Sequence, residues 1–508
     1  MQIIESNKTQ FEYDIQALLK SFYPEWEPRM LAPDSEVRDR RILEGEPVMA
    51  LFFGEEEVTL EIFDADSCPD KIDSLHNIER EDALDTERSG HVYTWHPQEA
   101  PGTPAYKNAF KRFFYLSMQE ETGITLPWGN LTGIRPTKIA MTMMEQGKSE
   151  AETAEYLRTM HLVSEERTAL ALDIAERERR ILSTLHYENG YSLYIGIPFC
   201  PTTCLYCSFT SYPIAAWKKR VGKYLDALEK EIEATARFCR DKILDTVYIG
   251  GGTPTSLSAQ ELERLLGRLK EAFDFSQVQE FTVEAGRADS ITEEKLRVLL
   301  AMGVTRISVN PQTMKQETLD LIGRRHTVEQ VEEAFHLARQ IGFDNINMDI
   351  ILGLPGETAA DVAHTIGRIK ALSPDALTVH SLAVKRASKL GRWIAENGAT
   401  AYNNTGEIMD IASRGAAEMD MVPYYLYRQK NMSGNFENVG YSRRGKYGIY
   451  NILINEEKQT IVALGAGSIT KGVFSDDRIE RCENVKDVAQ YIERIDEMIE
   501  RKRQLLGQ

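Results

Sequence analysis

The sequence predicts an α/β fold centred on a mostly parallel sheet, with an α+β domain before it and a mixed domain after it. Two observations carry this. Six short β-branched runs (193–197, 246–249, 281–283, Arg306–Val309, 346–351 and 376–379) alternate with amphipathic helical patterns, and parallel strands require such crossovers because a tight turn cannot join them. Nearly every run also leads into a cysteine, glycine, carboxylate or amide. In parallel α/β folds ligands sit at the carboxyl ends of the strands, where loops vary while the sheet fixes their positions. At ~150 residues per domain the length suggests about three domains, drawn at 1–185, 186–385 and 386–508.

Residues 1–185 have a different texture. A strand pair is expected at 48–53 and 58–63, an acidic polar stretch at 77–88, and helices at 107–121 and 164–186. Between the helices lies Trp128-Gly129-Asn130-Leu131-Thr132-Gly133-Ile134-Arg135-Pro136, whose Arg135 could anchor an anion, although capping or domain docking is the commoner use. In the central domain Trp217, Val221, Leu225, Leu228 and Ile232 recur at helical spacing as one apolar stripe. Ser258 with Glu261, and Thr327 with Gln330, fit the capping box, in which each side chain bonds the other residue's backbone N–H. Six such units make either a doubly wound sheet or an incomplete barrel.

Composition excludes several function classes. Hydrophobic residues at 42% and charged residues at 27% are typical of soluble globular chains. A net charge of −18 repels phosphate backbones and anionic lipid, so no nucleic-acid partner is expected. The opening MQIIESNKTQFEYD lacks a basic and then apolar run, and no stretch approaches the ~18 apolar residues of a membrane span, so a cytoplasmic location is expected. Of six cysteines, Cys68, Cys239 and Cys482 read as structural, while Cys200, Cys204 and Cys207 crowd into one loop. Disulfides rarely persist in a reducing cytosol, where such spacing usually means metal or redox chemistry.

Cys200-Pro201-Thr202-Thr203-Cys204-Leu205-Tyr206-Cys207 has a CxxxCxxC spacing that lets one loop ligate three irons of a [4Fe-4S] cubane. The fourth iron is left open to a cofactor, and the amino and carboxylate groups of S-adenosylmethionine suit it. Electron injection into the sulfonium then cleaves a C–S bond and yields a 5′-deoxyadenosyl radical. A structural zinc site would need a further Cys or His pair nearby, and none is present. One strand later, Gly250-Gly251-Gly252-Thr253-Pro254-Thr255 lacks the Lys of a phosphate-binding loop and the spacing of a dinucleotide fingerprint. Glycines at a strand end instead let backbone groups approach a ligand closely.

These residues resemble the radical S-adenosylmethionine superfamily and, within it, the oxygen-independent coproporphyrinogen III oxidase family. The likeness spans about 190–475 and includes Tyr194-Ile195-Gly196-Ile197-Pro198-Phe199-Cys200, Arg306-Ile307-Ser308-Val309-Asn310-Pro311-Gln312-Thr313, Gly323-Arg324-Arg325-His326, and Asn347-Met348-Asp349-Ile350-Ile351-Leu352-Gly353-Leu354-Pro355-Gly356. The extension carrying Leu131-Thr132-Gly133-Ile134-Arg135-Pro136-Thr137 looks most like the HemZ-type branch. The resemblance implies an incomplete (β/α)6 barrel. It also implies cofactor contacts at Tyr194, Gly251, Gly252, Thr253, Glu284, Gln312, Arg324, Asp349, Ala383 and Ile469. On chemical grounds Glu284 and Asp349 can accept from ribose hydroxyls or the amine, and Arg324 can pair with the methionyl carboxylate.

The implied activity is oxidative decarboxylation of coproporphyrinogen III to protoporphyrinogen IX, fed by a reduced flavodoxin or ferredoxin-type donor. Candidate cations for the tetrapyrrole carboxylates are Arg428, Lys430, Arg443 and Arg444. Tyr424, Tyr425, Tyr427, Tyr441, Tyr447 and Tyr450 could wall its pocket, although core packing is the commoner use. Two positions depart from the oxidase pattern: Phe209 stands where the oxidases carry a further cysteine, and Asn310 where they usually carry glycine. Phe209 instead resembles relatives that bind haem as chaperones. The alternatives are therefore a haem-binding and haem-delivering protein, with His326 or His380 as conceivable ligands, or a radical enzyme acting on another tetrapyrrole.

Overall fold

The computed structural model describes residues 2–24, 26–31, 47–63, 90–133, 135–187, 189–383, 388–397, 404–429, 436–474 and 478–507. Cys68, the acidic stretch at 77–88 and Lys430 lie outside them. The chain forms two compact units, Met1–Leu172 and Asp173–Gln508. Among the described residues no helix is long and apolar enough to cross a membrane.

The first unit is an α+β layer. Its strands β1 (Gln2–Ser6), β2 (Pro28–Leu31), β3 (Pro47–Phe53), β4 (Val58–Phe63) and β5 (Gly90–Trp95) run in the order β2-β1-β3-β4-β5. The expected strand pair is β3 and β4, antiparallel with Leu51 opposite Leu60. Alternation along them buries Met49, Leu51, Phe53, Val58, Leu60 and Ile62 against helices Glu12–Phe22 and Pro104–Thr122. The second helix answers the pattern at 107–121. Thr103 accepts from the Tyr106 N–H at its start, and Gly123, at φ 67°, closes its end.

The second unit carries β6 (Gly190–Ile197), β7 (Phe199–Cys200), β8 (Tyr212–Pro213), β9 (Ile243–Gly251), β10 (Glu280–Gly286), β11 (Arg306–Val309), β12 (Ile346–Leu352), β13 (Ala376–Ser381), β14 (Val422–Tyr427), β15 (Asn438–Ser442), β16 (Thr460–Leu464), β17 (Ile469–Val473) and β18 (Ile479–Glu483). The six runs read from the sequence fall in β6, β9, β10, β11, β12 and β13, parallel neighbours in that order. The order decides between the two expected architectures. A doubly wound sheet reverses direction at a switch point, whereas here every crossover steps the same way, as in a barrel. The sheet ends at β14 and β18 without joining, so the barrel is open among the described strands.

Strand alternation separates two faces. Leu193, Ile195, Val247, Ile249, Phe281, Val283, Ile307 and Val309 are almost fully buried. The intervening positions are polar or aromatic and bond to one another, as in Thr246 to Ser192, Tyr248 to Glu284 and Thr378 to Asn347. The crossover helices cover the apolar side: in Ala259–Ala272 the buried stripe is Leu262, Leu265, Leu266 and Leu269. The expected capping boxes at Ser258 and Thr327 are both formed, with two more at Ser149 and Thr358.

The expected third domain is not a separate compact unit, and the first boundary falls at 172/173 instead of 185. From the residues after 385, β15 and then β14 add antiparallel beyond β13, while β16 pairs parallel with β6 and continues into β17 and β18. The physical reason is that β6 and β13 would otherwise end the sheet with unpaired backbone groups, and these strands supply the partners.

Thr327→Ala removes one cap from helix Val328–Ile341. We expect it to lower the stability of the second unit by about 1 kcal/mol in urea denaturation, leaving the slope unchanged.

Candidate active site

The cysteine loop leaves β6 at the carboxyl edge of the sheet, and its neighbours hold it in place. The Gly252 and Thr253 amides donate to the Ile197 and Phe199 carbonyls, both at 2.7 Å, and Thr253 Oγ1 lies 3.5 Å from Cys200 Sγ. A Cβ on Gly252 would stand 2.6 Å from the Phe199 oxygen and 3.0 Å from Cys200 Sγ. The glycine run therefore does something the sequence did not reveal: it lets the next loop lie flat against the cysteines, with the Gly252 and Thr253 amides committed to bracing them. Further along, Leu205 N–H donates to the Ile322 carbonyl at 2.9 Å and Thr202 Oγ1 to Gly323 at 3.1 Å.

Arg287, which sequence reasoning missed, completes the clamp. Its Nη1 donates to Thr202 Oγ1 at 2.8 Å and lies 3.8 Å from Cys204 Sγ, while Nε and Nη2 grip Asp289 at 2.9 and 2.6 Å. Burial works against the charge on Asp289, but His326 and Arg287 hold its carboxyl well below the usual range. His326 is fully buried with Nδ1 3.8 Å from Asp289, so it faces this ion pair. The Arg-x-Asp pattern following a strand was its only signal.

Cys200 and Cys204 are buried and Cys207 is half-buried. Burial pushes the Cys200 thiol up to about 11, with the neighbouring Cys207 and Cys204 adding to the rise, so its thiolate needs a cationic partner. Among the described residues no three Cys, His, Asp or Glu side chains converge as ligands of one metal ion would. A cubane makes no such demand, since each thiolate binds a different iron.

Beside this loop the structure gathers buried polar groups that lack protein partners: Ser308 Oγ, Asn310 Oδ1, Gln312 Oε1 and Arg324 Nε. Buried polar atoms are ordinarily satisfied, so such a group marks a place for a polar ligand. Gln312 holds a left-handed φ of 68° between the Asp349 carbonyl, which accepts from its amide at 2.9 Å, and the Ile351 amide, which donates back at 2.9 Å. Arg324 donates to the Asn310 carbonyl at 2.5 Å and to the Tyr206 hydroxyl at 3.4 Å. The donor set and these polar groups fit a cluster with an amino-acid-like organic cofactor.

The remaining predicted residues lie along the strands or just beyond their ends. Glu284 accepts from Tyr248 at 2.6 Å, and a Cβ on Gly250 would meet its carboxyl at 2.9 Å. Gly251, at φ 105°, brings its backbone close to the Tyr194 hydroxyl. Burial tends to raise Asp349, yet bonds from His380, Asn347 and Thr378 hold it below its ordinary value. His380 lies 3.9 Å from Asp349 and 3.3 Å from the Tyr427 hydroxyl. Tyr194, Tyr248 and Tyr450 stack, the closest pair at 4.4 Å. Ala383 follows β13 and is half-buried. Ile469 opens β17 with 43% of its surface exposed.

The glycine turn before Ile469 is locked from below. The fully buried Glu231 accepts from the Gly465 amide at 2.8 Å, Tyr491 at 2.6 Å, Asn484 at 2.8 Å and Lys502 at 2.5 Å. A buried carboxylate is tolerable only with such complete pairing.

Of the expected substrate cations, Arg428 follows β14 near the carboxyl end of β13 and is 5% exposed. Arg443 corrects the expectation. It bonds Ser373 and Met419 and faces Asp375, just before β13, so it belongs to the amino end, with Arg444 beside it. Tyr447 is likewise at that end, lining a cleft with Gln279, Thr305 and Asn345. An antiparallel strand returns its last residues to the wrong side of the sheet.

Comparison with known proteins gives a consistent picture. Residues 194–369 match the model of the radical SAM superfamily. The chain is 42% identical over 414 residues, 79% of its own length and 83% of the relative's, to the oxygen-independent coproporphyrinogen-III oxidase-like protein HemZ of Bacillus subtilis. It is 40% identical over 195 residues to the heme chaperone HemW of the same organism, 38% of this chain and 51% of that one. The solved coproporphyrinogen III oxidase HemN of Escherichia coli, a radical SAM enzyme, shares the fold at a TM-score of 0.50 and 23% identity, over 63% of this chain and 73% of that one.

Burial pushes Glu284 up to about 7, the Asp349 carboxylate adding to the rise against bonds from Tyr248 and Gly251. An acid raised in the folded state stabilises the fold below its unfolded pKa and loses that contribution as pH rises through the folded value. We expect the wild-type thermal midpoint to fall relative to Glu284→Gln between pH 5 and about 7 and the difference to level off above, a swing on the order of 3 kcal/mol. Gly252→Ala should cut iron bound per chain on reconstitution by more than half while far-ultraviolet circular dichroism is kept.

Proposed function

The chain belongs to the radical SAM superfamily and, within it, to the oxygen-independent coproporphyrinogen-III oxidase-like family, and on that premise we propose that it decarboxylates coproporphyrinogen III to protoporphyrinogen IX in the cytoplasm. The observation that carries the reading is the braced loop of Cys200, Cys204 and Cys207 beside the unpartnered polar atoms of Ser308, Asn310, Gln312 and Arg324. When bound, the [4Fe-4S] cluster and S-adenosylmethionine supply hydrogen-atom abstraction driven by a single electron.

The chain's residues bind and orient. Cys200, Cys204 and Cys207 hold the cluster, and Arg324 offers its guanidinium to the methionyl carboxylate. Glu284 and Asp349 receive the amine and ribose hydroxyls, with Gln312 and the Tyr194 hydroxyl completing the polar wall. Gly251, Gly252 and Thr253 keep the backbone close, and Ala383 and Ile469 provide apolar contact. Arg428, whose guanidinium burial lowers to about 10 against the pull of the Glu437 carboxylate, is placed to meet a propionate of the tetrapyrrole. Tyr425 and Tyr427, stacked at 6.2 Å, are the nearby ring faces.

One observation favours a second reading, haem binding and delivery. Phe209, which replaces the oxidases' extra cysteine, is 69% exposed. His326 is buried against Asp289, which leaves His380 as the histidine suited to a ligand role.

Anaerobic reconstitution, reduction with dithionite and chromatography of the products test the assignment. We expect 5′-deoxyadenosine and protoporphyrinogen IX together from wild type, and neither from Cys204→Ser. Formation of 5′-deoxyadenosine without decarboxylation points to another tetrapyrrole; neither product at full cluster loading, with tight haem binding by optical titration, makes the chaperone reading the leading one.

A further inference from the structure

The segment directly behind the cysteine loop carries positive charge that the proposed reaction does not use. Residues 189–225 contain no Asp or Glu, in a chain with 78 acidic and 60 basic side chains. Lys218, Lys219, Arg220 and Lys223 all fall there and all are exposed. The first acid beyond them, Asp226, is taken by Arg264 at 2.7 Å. Arg220 instead lies over the Trp217 ring at 5.1 Å. Like charges crowded at a surface repel, and an acidic chain gains nothing in stability from keeping them together.

This patch is mechanically close to the cluster loop. Cys200 in β7 stands opposite Pro213 in β8, and helix Ile214–Trp217 follows at once. The Trp217 ring is 6.2 Å from Phe199, the residue before Cys200, and 5.4 Å from Tyr212. Phe209, 69% exposed, lies between Cys207 and β8. A basic rim beside an exposed aromatic is the usual make-up of a transient protein interface.

Resting on the radical SAM reading, we propose that this face docks an acidic one-electron carrier protein. The carrier is oxidised by one electron, the cluster held by the cysteines is reduced by one, and no bond forms between the proteins. Charge argues for a small protein over an extended polyanion. With a net charge of −18, the chain repels nucleic acid and anionic lipid over most of its surface, while a compact acidic partner is turned toward the long acid-free segment 189–225 with its four exposed cations.

The test uses the reconstituted full chain with two reductants, dithionite and acidic reduced flavodoxin. With Lys218→Glu, Lys219→Glu, Arg220→Glu and Lys223→Glu combined, flavodoxin-supported S-adenosylmethionine cleavage should fall about tenfold or more in kcat/KM, through KM, at low salt. Dithionite-supported cleavage should be unchanged. Wild type should lose its advantage over the variant as salt rises and the Debye length shrinks to a few ångströms. The neutral Gln replacements at the same positions, read by direct binding of flavodoxin, give the same answer should the reversal fail to fold. Equal flavodoxin kinetics and binding in wild type and variants overturn the proposal, as does loss of binding to phosphatidylglycerol vesicles with flavodoxin kinetics intact. If dithionite drives no cleavage even in wild type, the radical reading fails, while flavodoxin binding still decides whether the docking face exists.

Discussion

A short loop carrying three thiols has no structure of its own, and everything in the second unit serves to give it one. The Gly252 and Thr253 amides close on it from one side, and Arg287, Ile322 and Gly323 reach it from the loops that follow β10 and β11. Each contact is an ordinary hydrogen bond of about 1 kcal/mol, yet together they come from rigid strand ends and cannot all yield at once. Preorganised ligands need such support from the elements around them. The single-direction strand order supplies it by bringing consecutive strand exits side by side around the cysteines.

The polar face of the sheet follows from the same demand. An ordinary α/β interior would be filled with aliphatic side chains, whereas this one holds Glu284, Asp349, Arg306 and a row of stacked tyrosines. Burying such groups is costly, and part of the cost is left standing in the unpartnered atoms of Arg306, Gln312 and Arg324. A protein keeps such an arrangement for what it binds, and stability must come from the apolar face and its helices.

The central fold was legible because strand runs, helix stripes and capping boxes are local: a period of two or of 3.6 is visible in any short window. The cysteines and the glycine run were equally plain. What stayed hidden was non-local. Nothing in 438–442 or 460–464 tells which sheet edge will receive them, so the carboxyl-terminal segment read as a domain of its own. For the same reason Arg443 was expected on the ligand side, although the antiparallel return of β15 leaves it beside Asp375. Arg287 was missed because its value lies in reaching Thr202, 85 positions away. The glycines were recognised as allowing close backbone approach, but their packing against the neighbouring cysteine loop was not visible, because only the sheet places the two loops side by side.

Of the two strands beside β6, one is β9 and the other is β16, which comes from residues 460–464. Lys502, later still, neutralises the Glu231 that fixes the adjoining turn. The contacts that brace the three thiols thus come from residues 252–323, and the flank of β6 away from β9 is covered only by segments much later in the chain. The strand that opens the sheet's parallel series is therefore enclosed by neighbours separated from it by about 50 residues on one side and well over 200 on the other.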